Sequence, residues 1–121
     1  MSDGAIKGVG IDLCEIARMQ RWLDDDYSLR RLFTEEEQAY IRAKGVTAAQ
    51  SMAGLFAAKE AILKALGTGL SVAMTDISIT HTELGQPIAT LTGKAAEKGG
   101  HIQLSITHEA GMAAAFAIWT E

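Results

Sequence analysis

Apolar positions recur at helical spacing through the middle of the chain and at alternate positions towards both ends. The longest helical run extends from Thr47 to Gly67. At about 100° per residue, Leu55, Phe56, Ile62, Leu63 and Leu66 fall on one stripe, and the alanines beside them let another element approach closely. Thr47 with Gln50 suits a capping box at the start of this helix, and Gly67 suits a left-handed residue at its end. Such a helix is predicted to be well buried. Earlier in the chain, Ile6, Gly8 and Gly10 alternate with Lys7, Val9 and Ile11, which predicts a strand over 6–11 whose glycines admit a close backbone. Ile16, Met19, Gln20 and Leu23 give the next helix its apolar side, after which 24–26 is a polar loop and 27–33 a helical turn. Thr34 with Glu37 forms a capping box for a third helix finishing near Arg42, Lys44 and Gly45, with Phe33 placed to staple it. Beyond Gly69 the period becomes two. Ile77 and Ile79, then 88–91, then Ile102, Leu104 and Ile106, then 112–119 read as strands, with turns at 85–87 and 109–111. Gly93 to Lys98 reads as a short helix and His101 as a loop residue. The pattern predicts an α+β fold, with an N-terminal strand and helices packed on a small, mainly antiparallel sheet, in one domain spanning 1–121.

Charge narrows the partners. The formal charge of −4 and a pI near 5.3 argue against a general nucleic-acid binder, which needs Lys and Arg to neutralise phosphates. Arg18 and Arg21 lie off the apolar side of the first helix, where they would steer an acidic partner or simply be solvated. The single cysteine, Cys14, forms no intramolecular disulfide and suits a small buried side chain. The start of the chain lacks the long apolar segment of a signal peptide or membrane span, so a cytoplasmic location without membrane insertion is expected.

The candidate chemistry is concentrated on the central helix. Lys59 falls inside its bulky stripe, and Glu60 and Lys64 share a flank at i and i+4. One reading is a Glu60–Lys64 surface pair with Lys59 snorkelling past the core; the other holds a carboxylate and an ammonium against an anionic ligand, with the glycine-rich exit leaving room for it. Asp12 is open to two readings as well: a helix cap reciprocated by Glu15, or a metal ligand at the carboxyl end of a strand. Ser-Ile-Thr-His occurs at 78–81 and again at 105–108, so His81 and His108 each end an alternating run, as surface residues or as phosphate and proton contacts. Gly93-Lys94 is not a phosphate loop, because Ile88 and Ala95 stand where the motif needs Gly and Ser or Thr. No His/Cys cluster has zinc spacing, and no serine sits in a nucleophile elbow.

Gly8-Val9-Gly10-Ile11-Asp12, Phe56-Ala57-Ala58-Lys59-Glu60-Ala61 followed by Lys64 and Gly67-Thr68-Gly69, and Ser105-Ile106-Thr107-His108 together resemble the holo-acyl-carrier-protein synthases, the small bacterial phosphopantetheinyl transferases. Phe33 to Glu37, Gly85-Gln86-Pro87 and Leu91-Thr92-Gly93 extend the likeness over almost the whole chain. The resemblance implies transfer of 4′-phosphopantetheine from coenzyme A to a serine of apo acyl carrier protein, with Mg²⁺ held by Asp12 and Glu60 and with Lys64 meeting the phosphate. It implies a homotrimer with sites at subunit boundaries, where Gly67, Gly85, Pro87 and His108 bind the coenzyme and Arg18, with Arg21 beside it, faces the carrier protein. The family commonly carries arginine where this chain has Leu55. That departure motivates an alternative: a non-catalytic module binding coenzyme A or carrier protein on the same scaffold.

Overall fold

The computed structural model describes residues 4–121. The chain runs β1 (Ile6–Glu15), α1 (Ile16–Gln20), α2 (Asp26–Leu32), α3 (Glu35–Arg42), α4 (Ala48–Leu66), β2 (Ile77–His81), β3 (Pro87–Leu91), β4 (His101–Glu109) and β5 (Met112–Thr120), with short 3₁₀ turns between several of these. The predicted mixture of helices and antiparallel strands is present. β1, β5 and β4 form an antiparallel sheet in that order, and β2 pairs with β3 as a separate antiparallel ribbon. The N-terminal strand is therefore an edge of the sheet and does not pack on it. No helix among the described residues is long and apolar enough to cross a membrane.

Alternation along β1 decides what faces the core. Gly8, Gly10, Asp12 and Cys14 share the inner face, while Val9, Ile11 and Leu13 share the outer one. Helix α4 lies against the inner face at a distance only glycine permits: a Cβ at Gly10 would sit 1.9 Å from the Ala61 carbonyl oxygen, and one at Gly8 would sit 2.0 Å from that of Ala65. The N-terminal half of α4 passes over β4 instead, where a Cβ at Gly54 would lie 3.1 Å from Nε2 of His108. Thus α4 crosses the sheet diagonally, from β4 at Gly54 to β1 at Ala65. Most of its residues are buried, and Gly67 ends it with φ at 71°.

Several local expectations are corrected. β1 continues past Ile11 to Glu15, so Asp12 lies in mid-strand opposite Ala115 and caps nothing; Glu15, at the start of α1, makes no capping bond either. The Thr47 hydroxyl donates back to the Lys44 carbonyl, leaving no capping box on α4. Phe33 is buried, yet the residue it would staple is Gln38, whose amide donates to the Phe33 carbonyl. His101 opens β4 and is not in a loop. Cys14 is buried as expected, and burial pushes its thiol up from its ordinary pKa.

Lys59 does not snorkel. Its ammonium is fully buried, paired with Glu37 at 2.5 Å and donating to the carbonyls of Leu32 at 2.8 Å and Met74 at 3.0 Å. Glu37 completes the predicted capping box with Thr34, and its other oxygen accepts from the Ile79 amide at 2.7 Å. One buried ion pair therefore ties α2, α3, α4 and β2 together. Its members satisfy each other's charge, which keeps the cost of burying them tolerable.

Candidate active site

Asp12 reaches Lys64 because β1 extends under the C-terminal half of α4. The Lys64 ammonium lies 3.1 Å from Asp12 Oδ1 and donates to the Ile11 carbonyl at 2.9 Å. The two side chains are 17% and 55% exposed, Asp12 being the more enclosed. Glu60 is one turn earlier on the same flank of α4. The Glu60–Lys64 pair of the plain reading is absent, since Lys64 has turned to Asp12, and Glu60 has no ion-pair partner among the described residues. Burial, and then the charge of Asp12, push the Glu60 carboxyl above its ordinary pKa, against smaller opposing effects of Lys64 and Arg18.

Whether these groups suit Mg²⁺ turns on their donor chemistry. Two neighbouring carboxylates, one holding its proton more tightly partly because the other is charged, form a site whose repulsion a divalent cation relieves. No third His, Cys, Asp or Glu joins them among the described residues. Two oxygen donors match an ion that keeps water and phosphate oxygens for its remaining positions. The residues fit.

Arg18 stands beside this cluster. Its guanidinium lies 5.2 Å from the Trp22 ring centroid and 5.3 Å from that of Phe56, and those two rings meet edge to face at 6.0 Å. Arg21 is exposed at the C-cap of α1. At the exit of α4, next to Gly67, the Thr68 hydroxyl is buried without a hydrogen-bond partner among the described residues.

A second cluster occupies the other end of the α4 crossing. His81, His108, Gly85, Pro87 and Leu55 line a cavity of about 170 Å³ together with Tyr40. The His81 ring stacks on Tyr40 with centroids 4.4 Å apart and planes 7° from parallel, and the Lys44 ammonium lies 4.6 Å from the Tyr40 centroid. Sequence reasoning placed both histidines at strand ends but missed their convergence. The signal was the repeated Ser-Ile-Thr-His, which continues the inward-facing alternation of β2 and of β4 by one more position, so both imidazoles follow the isoleucines towards the interior side.

Within one chain the two clusters stand apart. Asp12 and His108 lie on β1 and β4, the strands flanking β5, opposite Ala115 and Ala113 respectively. Two strand spacings amount to about 10 Å. Along α4, Gly54 and Lys64 are separated by about 15 Å of helix rise, and Ser51 and Glu60 project from opposite flanks.

The sequence profile of the 4′-phosphopantetheinyl transferase superfamily matches residues 8–119. A holo-[acyl-carrier-protein] synthase of Treponema denticola is 46% identical over 119 residues, covering 93% of this chain and 97% of the relative. The crystal structure of a holo-(acyl-carrier-protein) synthase from Bacillus anthracis in complex with CoA (3′,5′-ADP) superimposes with a TM-score of 0.82 at 34% identity, covering 96% of this chain and 97% of that one. The corresponding Helicobacter pylori synthase in complex with coenzyme A gives a TM-score of 0.81 at 29% identity, covering 93% and 99%.

Proposed function

The chain belongs to the holo-[acyl-carrier-protein] synthase family of phosphopantetheinyl transferases and is an enzyme; from that premise we propose that it moves 4′-phosphopantetheine from coenzyme A to a serine of an apo acyl carrier protein, releasing adenosine 3′,5′-bisphosphate. The convergence of Asp12, Glu60 and Lys64 carries this reading. In the transfer, the serine oxygen bonds to the phosphorus bearing pantetheine, the P–O bond to the other phosphate breaks, and negative charge gathers on the oxygens of the departing 5′-phosphate of adenosine 3′,5′-bisphosphate. Asp12 and Glu60 would hold Mg²⁺, which would supply charge stabilisation at those oxygens. Lys64 exchanges its contact with Asp12 for the phosphate, bringing a fixed ammonium to the leaving group. Glu60 has a second carboxylate oxygen to accept the serine proton.

The same proposal assigns the remaining residues. Gly67 leaves room for the donor past the end of α4. Gly85, Pro87 and His108 receive the adenosine end. Arg18 and Arg21 face the acidic carrier. Because the two clusters lie on opposite flanks of α4, one complete site is proposed to join Asp12, Glu60 and Lys64 of one copy to the histidine cavity of a neighbour in a homotrimer. Outward-facing Val9, Ile11, Leu13 and Phe116, all exposed on the sheet, supply an apolar surface for that association. A cytoplasmic location belongs to the same reading.

Incubation with coenzyme A, Mg²⁺ and a panel of apo carrier proteins is expected to raise the mass of at least one carrier by a single phosphopantetheine unit. Glu60→Gln is expected to slow this by about a hundredfold or more. Coenzyme A binding with no modification of any carrier would replace this reading with a binding module.

A further inference from the structure

The cavity at the β4 end of α4 contains one imidazole with no role in the transfer outlined above. His81 is half-buried in its wall, and neither His81 nor His108 has a hydrogen-bond partner for its side chain among the described residues. Two imidazoles without hydrogen-bond partners among the described residues line one small cavity, each offering one N–H donor when neutral and two when protonated. The His81 ring is held in place by its stack on Tyr40, so binding through it loses little side-chain freedom. The remaining wall comes from Ser51, Gly54 and Leu55 of α4, Gly85 of the β2–β3 connection, Pro87 of β3 and Ile106 of β4, none of which is charged. Lys44 is a neighbouring cation, and no carboxylate among the described residues lines the cavity. The site therefore suits an anion and offers nothing to repel one.

Which anion follows from the other cluster. If the diphosphate of coenzyme A is held by Lys64 and the cation on the two carboxylates, the phosphate left for a cavity at the adenosine end is the one on the ribose 3′-oxygen. We propose that His81 binds the 3′-phosphate of coenzyme A together with His108, and so determines selectivity for coenzyme A over its 3′-dephospho form. This rests on the transferase reading above.

Proton linkage supplies a readout that a merely structural histidine would not give. Burial, and secondarily the Lys44 ammonium, hold the His81 pKa below its ordinary value, so the imidazole is neutral at neutral pH in the free protein. The groups around it are Lys44 and Tyr40 from α3 and its end, and His108 from β4; Ser51, Gly54 and Leu55 on α4, Gly85 before β3 and Pro87 at its start carry no group that titrates in this range. A bound phosphate favours the protonated ring, so the preference for the 3′-phosphate should strengthen as pH falls from 8 towards 6.

The test measures kcat and KM for coenzyme A and for 3′-dephospho-coenzyme A between pH 6 and 8, in the unaltered enzyme, in His81→Gln and in His81→Lys. His81→Gln is expected to raise KM for coenzyme A roughly tenfold with kcat little changed, to leave KM for the dephospho form unaltered, and to flatten the pH dependence of the preference. His81→Lys, charged throughout this range, is expected to keep the preference while losing part of its pH dependence. Unaltered enzyme that transfers normally, with His81→Gln showing the same KM and the same preference, overturns the assignment and leaves the transferase reading intact. Absence of transfer by unaltered enzyme, by contrast, sinks that reading first. Equal KM increases for both donors would show that His81 supports the wall of the cavity and does not bind the phosphate, which also overturns it.

Discussion

Glu60 meets opposed demands from stability and activity. Its carboxyl pKa is raised in the folded chain by burial and by Asp12, so the folded state favours the proton. The associated stability is fully present below the unfolded pKa of about 4.3 and is lost as pH rises through the higher folded value. In metal-free protein, Glu60→Gln is therefore expected to raise the thermal midpoint at neutral pH while giving no gain at about pH 4. Half-burial keeps the difference to a few tenths of a kcal/mol. The same substitution is expected to slow transfer by about a hundredfold or more, and a metal-free Gln variant less stable than the parent at neutral pH would contradict the predicted stability gain. Lys64 gives a second test. Its ammonium occupies Asp12 in the free chain, so it competes with a divalent ion for that carboxylate. Lys64→Met is expected to bind Mn²⁺ several-fold more tightly when coenzyme A is absent, and to weaken the mutual enhancement of Mn²⁺ and coenzyme A binding, as read by water-proton relaxation. The family resemblance placed Asp12 and Glu60 on one ion with Lys64 nearby, but spacing alone did not show that Lys64 would pair with Asp12. Asp12-x-x-Glu15 has the spacing of a capping box, and only the hydrogen bonding of β1 to β5 shows that the chain is still extended there.

At the scale of elements, the site depends on how closely β1 and α4 approach. Periodicity showed α4 and its burial, and the glycine alternation showed that a backbone comes near β1. It did not show that the backbone belongs to α4, because strand and helix are distant in sequence. With 1.9 Å between a Gly10 Cβ and the Ala61 carbonyl oxygen, Gly10→Ala must push the helix away. The expected cost is about 2–3 kcal/mol in urea unfolding, with transfer reduced beyond what the lost stability explains, since the shift separates Asp12 from the flank carrying Glu60 and Lys64. The ion pair between Lys59 and Glu37 fixes the helix from its other side. Lys59→Met leaves a buried carboxylate without its cation and should cost about 3–5 kcal/mol, while Lys59→Met with Glu37→Gln recovers part of that loss. Thr34 and Glu37 were legible as a cap; the second task of Glu37 was not, because a buried lysine partner leaves no local spacing to read.

For the whole molecule, the outer face of the sheet and the separation of the two clusters point the same way. Ile11 and Leu13 are 63% and 64% exposed, an unfavourable arrangement for a lone chain in water. Phe116→Glu, in the centre of that face on β5, is expected to reduce the mass measured by light scattering to that of a single chain and to lower transfer in parallel. A single-chain mass with full activity would confine the site to one copy. The diagonal course of α4 then has a consequence for mixtures. If each reaction centre draws its acids from one polypeptide and its imidazoles from the next, two separately dead proteins should revive each other. After co-refolding Glu60→Gln chains with His108→Ala chains in equal amounts, about a quarter of the boundaries would unite two undamaged halves. Turnover would reappear from parents that have almost none.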